Sequence, residues 1–352
     1  MENVSINKNF WKNKKVFITG HTGFKGSWLC LLLNLLDCKI TGYSLAPTKQ
    51  QKLFNIFKIY KLVKKNYFLD IRDKKKLFNA IRKSKPEIIF HLASQSLVLE
   101  SYKDPFYNFS TNLIGTVNIL EAAKKFSFIK SFVFVTSDKC YTNLNKKKYI
   151  ETDQTQGNKD PYSCSKACAE LIVDSYNQSF FRNAKINIAT VRSGNIIGGG
   201  DWSENRLLPD IMKSIKNCNL LKIRNPQSTR PWLYILDSLC GYIKIAEKLF
   251  INKNFSGAWN FSPNGKSKNV KTIVNFFKEK TKIKVQFIKN KKLKEQNFLN
   301  LCSNKSREML SWQPKYNLNK SLISTYSWYK NYFNKKNIIE LSKIEIKDYF
   351  KI

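Results

Sequence analysis

The chain has 352 residues, and its 62 lysines and arginines against 25 acidic residues give a net charge of +37. A chain of this length buries a sizeable core and is expected to divide into two lobes. The basic surplus argues for a nucleic-acid or membrane-surface partner only if it is gathered into a stripe. It is instead scattered in short clusters at Lys74–Lys76, Lys146–Lys148, Lys291–Lys292 and Lys335–Lys336, so neither partner is expected.

The first predicted strand is Lys15–Thr19, and the apolar run Trp28–Leu36 predicts a helix. Between them stand Gly20, Gly23 and Gly26, with Thr22, Phe24 and Lys25 in the intervals. Glycine is required where a chain turns sharply, where backbone approaches a pyrophosphate and where a helix packs closely on a strand. The free N–H groups of the following helix then attract phosphate. The second strand, Lys39–Ser44, runs into Leu45, Ala46, Pro47, Thr48 and Lys49 without a carboxylate for an adenosine ribose. Lys25 and Lys49 are placed to meet a 2′-phosphate instead, which leaves NAD and NADP both open.

Tyr67–Asp70 predicts a third strand, whose terminal Asp70 and following Ile71 are candidates for holding adenine. Glu87–Ala93 predicts a fourth, bringing Leu92 and Ala93 beside the pyrophosphate, and Phe132–Ser137 a fifth. Helical patterns at Asp73–Arg82 and Asp104–Lys125 separate them, and Asn112 falls within the second. The alternation is the signature of an α/β doubly wound parallel sheet of Rossmann type, with a smaller α/β substrate-binding lobe following.

Ser137 closes the fifth strand, where open α/β sheets place their ligands, and Asp138 and Lys139 follow it. Tyr162 and Lys166 are one helical turn apart and share a face. A phenol with an ordinary pKa of about 10 becomes a usable base when a neighbouring ammonium favours the phenolate. Further on, the glycine run after Asn195 predicts a loop that lies close to a diphosphate. Arg206 and Arg230 offer planar forks for phosphate oxygens, with Trp232 beside the second.

The segments HTGFKGSWL (from His21), TSDKCY (from Thr136), SGNIIGGGDW (from Ser193) and IRNPQSTRPW (from Ile223) resemble the extended short-chain dehydrogenase/reductases. Within that group they resemble the nucleotide-sugar 4,6-dehydratases, above all the subfamily acting on CDP-glucose. The resemblance implies an internal redox dehydration, with oxidation at sugar carbon 4, loss of water across carbons 5 and 6, and reduction at carbon 6. It implies that Tyr162 takes the proton of the 4-hydroxyl, with Lys166 supporting it and Ser137 hydrogen-bonding the same group. In related dehydratases acting on dTDP-glucose an Asp-Glu pair serves as acid and base for the elimination. Here Asp138 stands at the acid and Lys139 at the position of the base. The resemblance also offers Arg307 as a further phosphate ligand, Asn112 as a structural or water-positioning residue, and a homodimer paired through the helices near Asp104–Lys125 and Pro161–Phe181. A 4-epimerase of the same fold would have no use for Asp138 and Lys139. A non-catalytic protein that binds only cofactor or nucleic acid would keep the glycine loop alone.

The lobes are expected at residues 1–192, for dinucleotide and catalytic residues, and 193–352, for the nucleotide sugar, with a return to the first near 232–250. Eight cysteines lack metal-ligand spacing and only His21 and His91 are available to join them, so no metal is expected. Met1–Lys15 has no signal-peptide core and Trp28–Leu36 is too short to span a membrane. A cytoplasmic protein with reduced cysteines is the expectation.

Overall fold

The computed structural model describes residues 6–142, 148–265, 267–288 and 300–352. Lys146, Lys147, Lys291 and Lys292, from two of the lysine clusters, lie outside the described residues. In chain order the strands are β1 (Lys15–Thr19), β2 (Lys39–Ser44), β3 (Lys65–Phe68), β4 (Ile88–His91), β5 (Ser131–Val135), β6 (Asn187–Ser193), β7 (Asn195–Ile197), β8 (Leu221–Arg224), β9 (Thr229–Arg230), β10 (Trp232–Tyr234), β11 (Gly257–Phe261), β12 (Lys268–Asn269) and β13 (Val285–Ile288).

Seven of them form one parallel sheet in the order β11-β6-β5-β4-β1-β2-β3. The central strands are apolar because helices cover both faces. Successive residues of β1 serve different cores: Val16 and Ile18 join the cluster on one face, and Phe17 the cluster on the other. This period-two division fixes register, since a slip of one residue would exchange the two cores. The order reverses between β1 and β4, which opens a crevice at the carboxyl ends of the strands.

Three expected boundaries move. The first long helix is Phe24–Leu35, beginning four residues earlier than the apolar run, because it starts directly at Gly23. The third strand ends at Phe68, and Asp70 leaves the sheet after the Leu69 amide bonds the Ser44 carbonyl at 2.8 Å. The Asp104–Lys125 pattern is helix Pro105–Phe109, a π-helical turn Ser110–Ile114 and helix Gly115–Lys125. Asn112 sits in that wider turn, a form frequent at functional sites.

The chain after Arg192 does not stay apart from the sheet. Helix Ile235–Ile251 packs on β5 and β6, with the Ser131 hydroxyl donating to the Ala246 carbonyl at 2.9 Å, and β11 pairs with β6. The remaining pieces, β7 with β10, β9 with β12 and β8 with β13, are two-stranded, and residues of β7, β8, β9 and β10 line the cavity at the crevice. Among the described residues no helix is long and apolar enough to cross a membrane, and no group of His, Cys, Asp or Glu is arranged to hold a metal.

Candidate active site

A cavity of about 1210 Å³ runs along the carboxyl ends of the strands, from the glycine turn to the small two-stranded pieces. That exceeds the roughly 300–1,000 Å³ of a single-ligand site and leaves room for two elongated molecules side by side.

One end is built of backbone. Gly20 has φ +74°, and a Cβ there would lie 2.7 Å from the Ala93 amide nitrogen. A Cβ on Gly26 would come within 2.2 Å of the Gly20 carbonyl oxygen. Gly23 differs: an added Cβ would meet nothing nearer than 3.4 Å, so no packing demand explains it. It caps helix Phe24–Leu35 without a side-chain bond, which leaves the first N–H groups directed into the cavity. This cradle fits the pyrophosphate of a dinucleotide: Gly20 and Gly26 let turn and helix close on each other, and Gly23 leaves the space before the helix N-terminus open.

The Thr22 hydroxyl turns away to Ser44, 2.8 Å, and Leu45, 3.3 Å, so it braces β2 and does not line the cavity. Leu92 and Ala93 present their amides to the Thr19 hydroxyl, each at 3.2 Å, and line the cavity beside Gly20. Asp70 and Ile71 line it further along; Arg72 grips the Asp70 carboxylate and holds its pKa below the ordinary value. The end of β2 offers the neutral Ser44, Leu45, Thr48 and Gln51. Lys49 does not line the cavity, and Lys25 lies close enough to Asp138 and Lys166 to pull both pKa values down. The two lysines offered for a 2′-phosphate are therefore not gathered at the ribose end.

In the middle of the cavity Ser137, at the mouth of β5, hydrogen-bonds Tyr162 and donates to Asp138 Oδ1 at 3.0 Å. Asp138 is buried, and its Oδ2 has no hydrogen-bond partner among the described residues. Burial lifts its pKa above the ordinary carboxylate range, although Lys139, Ser137, Arg230 and Lys25 pull the other way. Lys139 is half-buried on the cavity wall. Helix Pro161–Tyr176, capped by Asp160, carries Tyr162 and Lys166 on one buried face. The electrostatics differ from the expectation of an ammonium activating the phenol. Burial pushes Tyr162 up to about 12, and what opposes it is the Ser137 bond and Arg206. Lys166 is itself drawn down to about 7 by burial, with Lys25 adding to the effect. Burial drives each group toward its neutral form.

The other end is built of side chains. Asn195, exposed on β7, Arg206 and Arg230 all line the cavity. Arg206 reaches Asp201 Oδ2 at 3.2 Å, and Arg230 is buried on β9 with an N–H on the Thr229 carbonyl at 3.0 Å. Arg307 is not brought to this wall; its guanidinium meets Asn264 at 2.9 Å. Asn112 binds the Gln95 backbone and the Ser165 hydroxyl, 2.8 Å, and so ties the π turn to the helix of Tyr162.

The sequence reading missed the support beneath this cluster. Glu170, one turn beyond Lys166, is buried and accepts from Arg192 at 2.8 and 2.9 Å, from Thr190 at 2.8 Å, and from Thr136. Arg192 also donates to Tyr141 at 2.9 Å. The network fastens helix Pro161–Tyr176 to β5 and β6 just before Ser137 and Ser193. The spacing Tyr162, Lys166, Glu170 put all three on one stripe and was the available signal.

The family model for GDP-mannose 4,6 dehydratase matches residues 17–325. The chain belongs to that dehydratase family. It is 40% identical over 353 residues to a CDP-glucose 4,6-dehydratase of Salmonella typhimurium, covering 98% of each chain. Among solved structures it resembles an epimerase from Methanothermobacter thermautotrophicus, with TM-score 0.80 and 20% identity over 93% of this chain and 95% of that one. It also resembles a dTDP-glucose 4,6-dehydratase from Streptomyces venezuelae solved with NAD, with TM-score 0.78 and 18% identity over 91% and 98%. As a family member the chain is an extended short-chain dehydrogenase/reductase with a Rossmann-type sheet.

Proposed function

We propose that this dehydratase converts CDP-glucose into CDP-4-keto-6-deoxyglucose and water, with NAD in the glycine cradle. The observation that carries the reading is the run Ser137, Asp138, Lys139 at the mouth of β5, beside Tyr162, with the Asp138 pKa raised by burial and Oδ2 unpaired. The 40% identity along nearly the whole chain to a CDP-glucose 4,6-dehydratase supports the substrate. The neutral end of β2, without a gathered pair of lysines, favours NAD over NADP. Bound there, NAD would take up a hydride from sugar carbon 4, return it to carbon 6, and set a positive ring near Tyr162.

The chain's own residues then act on protons. Tyr162 accepts the proton of the 4-hydroxyl, relayed through its bond to Ser137, and Lys166 accompanies it on the same face. Once carbon 4 is a ketone the proton on carbon 5 is acidic; Lys139 takes it and gives it back to carbon 5 when carbon 6 has been reduced. Asp138, whose pKa burial raises, gives a proton to the departing 6-hydroxyl, which leaves as water. Gly20, Gly23, Gly26, Phe24, Lys25, Leu92, Ala93, Asp70 and Ile71 surround the cofactor. Asn195, Arg206 and Arg230 hold the diphosphate of the sugar nucleotide; Arg307 takes no part from its present position.

The protein is proposed to act in the cytoplasm as a homodimer, because Phe106, Ile114, Leu171 and Phe180 are exposed on the two helical stretches expected to pair. The deciding experiment is turnover of CDP-glucose, dTDP-glucose, UDP-glucose and GDP-mannose with NAD and with NADP, followed by mass for a 4-keto-6-deoxy sugar. Product from CDP-glucose with NAD is expected. Cofactor binding without dehydration of any sugar overturns the reading and leaves epimerisation.

A further inference from the structure

The small lobe presents a carboxylate to the cavity that no step above uses. Asp210 lies in the first turn of helix Leu207–Asn217, whose Leu208, Pro209, Ile211 and Met212 are buried in the lobe. Asp210 lines the cavity and makes no side-chain hydrogen bond or ion pair among the described residues. Burial lifts its pKa to about 6 despite the nearby Lys213 and Arg224, so at neutral pH it remains mainly an acceptor. Arg224 faces the same space. The alternation along β8 puts Leu221 and Ile223 in the core, and turns Lys222 and Arg224 to the cavity, where Arg224 approaches Asn205 at 3.5 Å.

Backbone geometry places Asp210 along the cavity from Arg206. The Asp210 amide donates to the Arg206 carbonyl at 3.0 Å, so its carboxylate stands one helical turn beyond the arginine that bonds Asp201, and both line the cavity with Arg224. A sugar nucleotide with its hexose at Tyr162 and its diphosphate at Arg206 therefore carries its base on toward Asp210 and Arg224.

Pyrimidine edges differ in the order of donors and acceptors. Cytosine offers an amino donor at position 4 followed by acceptors at N3 and O2. Uracil and thymine offer an acceptor at position 4, a donor at N3 and an acceptor at O2. A carboxylate beside position 4 accepts from the cytosine amino group and opposes the carbonyl of the other two, while a guanidinium next to it donates to N3 or O2. We propose that Asp210, together with Arg224, reads the cytosine edge and rejects uracil and thymine. The inference rests on the CDP-glucose reading and deepens it. Rejection is as important as attraction, since a buried acceptor facing an acceptor leaves both unpaired.

The test is equilibrium binding of CDP, UDP and dTDP to the full-length protein with NAD present, for wild type, Asp210→Asn and Asp210→Ala, alongside a melting curve for each. Asparagine is nearly the same shape and can turn its amide to meet a position-4 carbonyl. Wild type should favour CDP by roughly 5- to 150-fold, the discrimination expected of one well-formed edge contact. Asp210→Asn should erase most of that preference by gaining affinity for UDP, and Asp210→Ala should lose it by weakening CDP. Neither should lower the melting temperature, because the carboxylate has no protein partner to lose. A wild-type preference for CDP that both variants keep overturns the role of Asp210 while leaving the dehydratase reading intact. A wild type indifferent to the base, or favouring UDP or dTDP, overturns the CDP-glucose reading itself and this inference with it.

Discussion

The two ends of the cavity are made of different material. The end proposed for the cofactor is backbone: glycines at 20, 23 and 26, helix N–H groups, and the turn at Leu92 and Ala93. The end proposed for the substrate is side chain: Asn195, Arg224 and Arg230 on strands of two to four residues, and Arg206 and Asp210 at the start of helix Leu207–Asn217. A backbone cradle tolerates no added atoms at Gly20 and Gly26, but a cradle of N–H groups reads only phosphate and so would serve any dinucleotide. A side-chain wall tolerates exchange and can be retuned to another nucleotide without disturbing the sheet.

The harshest way to break the comparison is at the cradle. Gly26→Ala forces a Cβ to within 2.2 Å of the Gly20 carbonyl oxygen, backbone against backbone with no flexible partner to give way. Overpacking of this kind costs about 1–3 kcal/mol or more, so little folded protein and no cofactor binding are expected on expression and NAD titration. Gly23→Ala should fold with an unchanged melting temperature and lose NAD affinity alone. A normal Gly26→Ala protein would show that the cradle is looser than its geometry.

The middle of the cavity should respond differently, with chemistry lost and fold kept. Tyr162→Phe removes one hydroxyl from a buried ring and should lower turnover about 10²- to 10⁴-fold, the range for a positioned proton-transfer group. Binding of NAD and CDP should be preserved by calorimetry. Turnover within a factor of about two of wild type would remove Tyr162 from proton transfer.

What could be read from sequence follows the same division. The cradle was legible because turn, phosphate approach and helix packing act within one continuous stretch, Lys15 to Leu35. The sheet was legible because alternating strands and helices leave a periodic trace. Spacing places Thr22 in the loop but cannot show that its hydroxyl bonds Ser44. The bond of Arg307 to Asn264 was not legible, because that neighbour lies 43 residues away in the chain. Asp210 carried no signal at all: its meaning comes from β8, and a lone aspartate in an amphipathic helix is ordinarily a solvated charge.

Beneath both ends the Glu170–Arg192 pair sets how firmly the reacting centre is held. Glu170→Gln leaves Arg192 buried without its counter-charge and should cost about 3–5 kcal/mol, measured by chemical denaturation. Burial lifts the Glu170 pKa, but Arg192 and the hydroxyls of Thr136 and Thr190 hold it below the ordinary 4.5. A lowered carboxylate pKa adds stability that is complete above the unfolded value and is lost as pH falls through the folded one. The gap between wild type and variant should therefore stay constant between pH 6 and 8 and close only below about 4.5. A gap already closing at pH 6 would mean that the pair is not the source of the stability.

Lys166 tests the middle ground with the opposite sign, since the reacting centre needs a charge that the fold disfavours. Its pKa falls from 10.5 in the unfolded chain to about 7, chiefly through burial. Between those values the unfolded chain binds a proton that the folded one does not, so stability rises with pH, by up to about 1.4 kcal/mol per unit. Below pH 7 the fold carries the whole cost of a buried ammonium. Lys166→Met, of similar length and uncharged, removes that cost. Without added nucleotide the variant should melt above wild type at pH 6, with the advantage shrinking steadily toward pH 10, while its turnover is lost. A variant that melts lower at pH 6 would mean that Lys166 holds a stabilising contact in its charged form. The reacting centre would then be built for stability like the Glu170–Arg192 pair beneath it, rather than kept at the fold's expense.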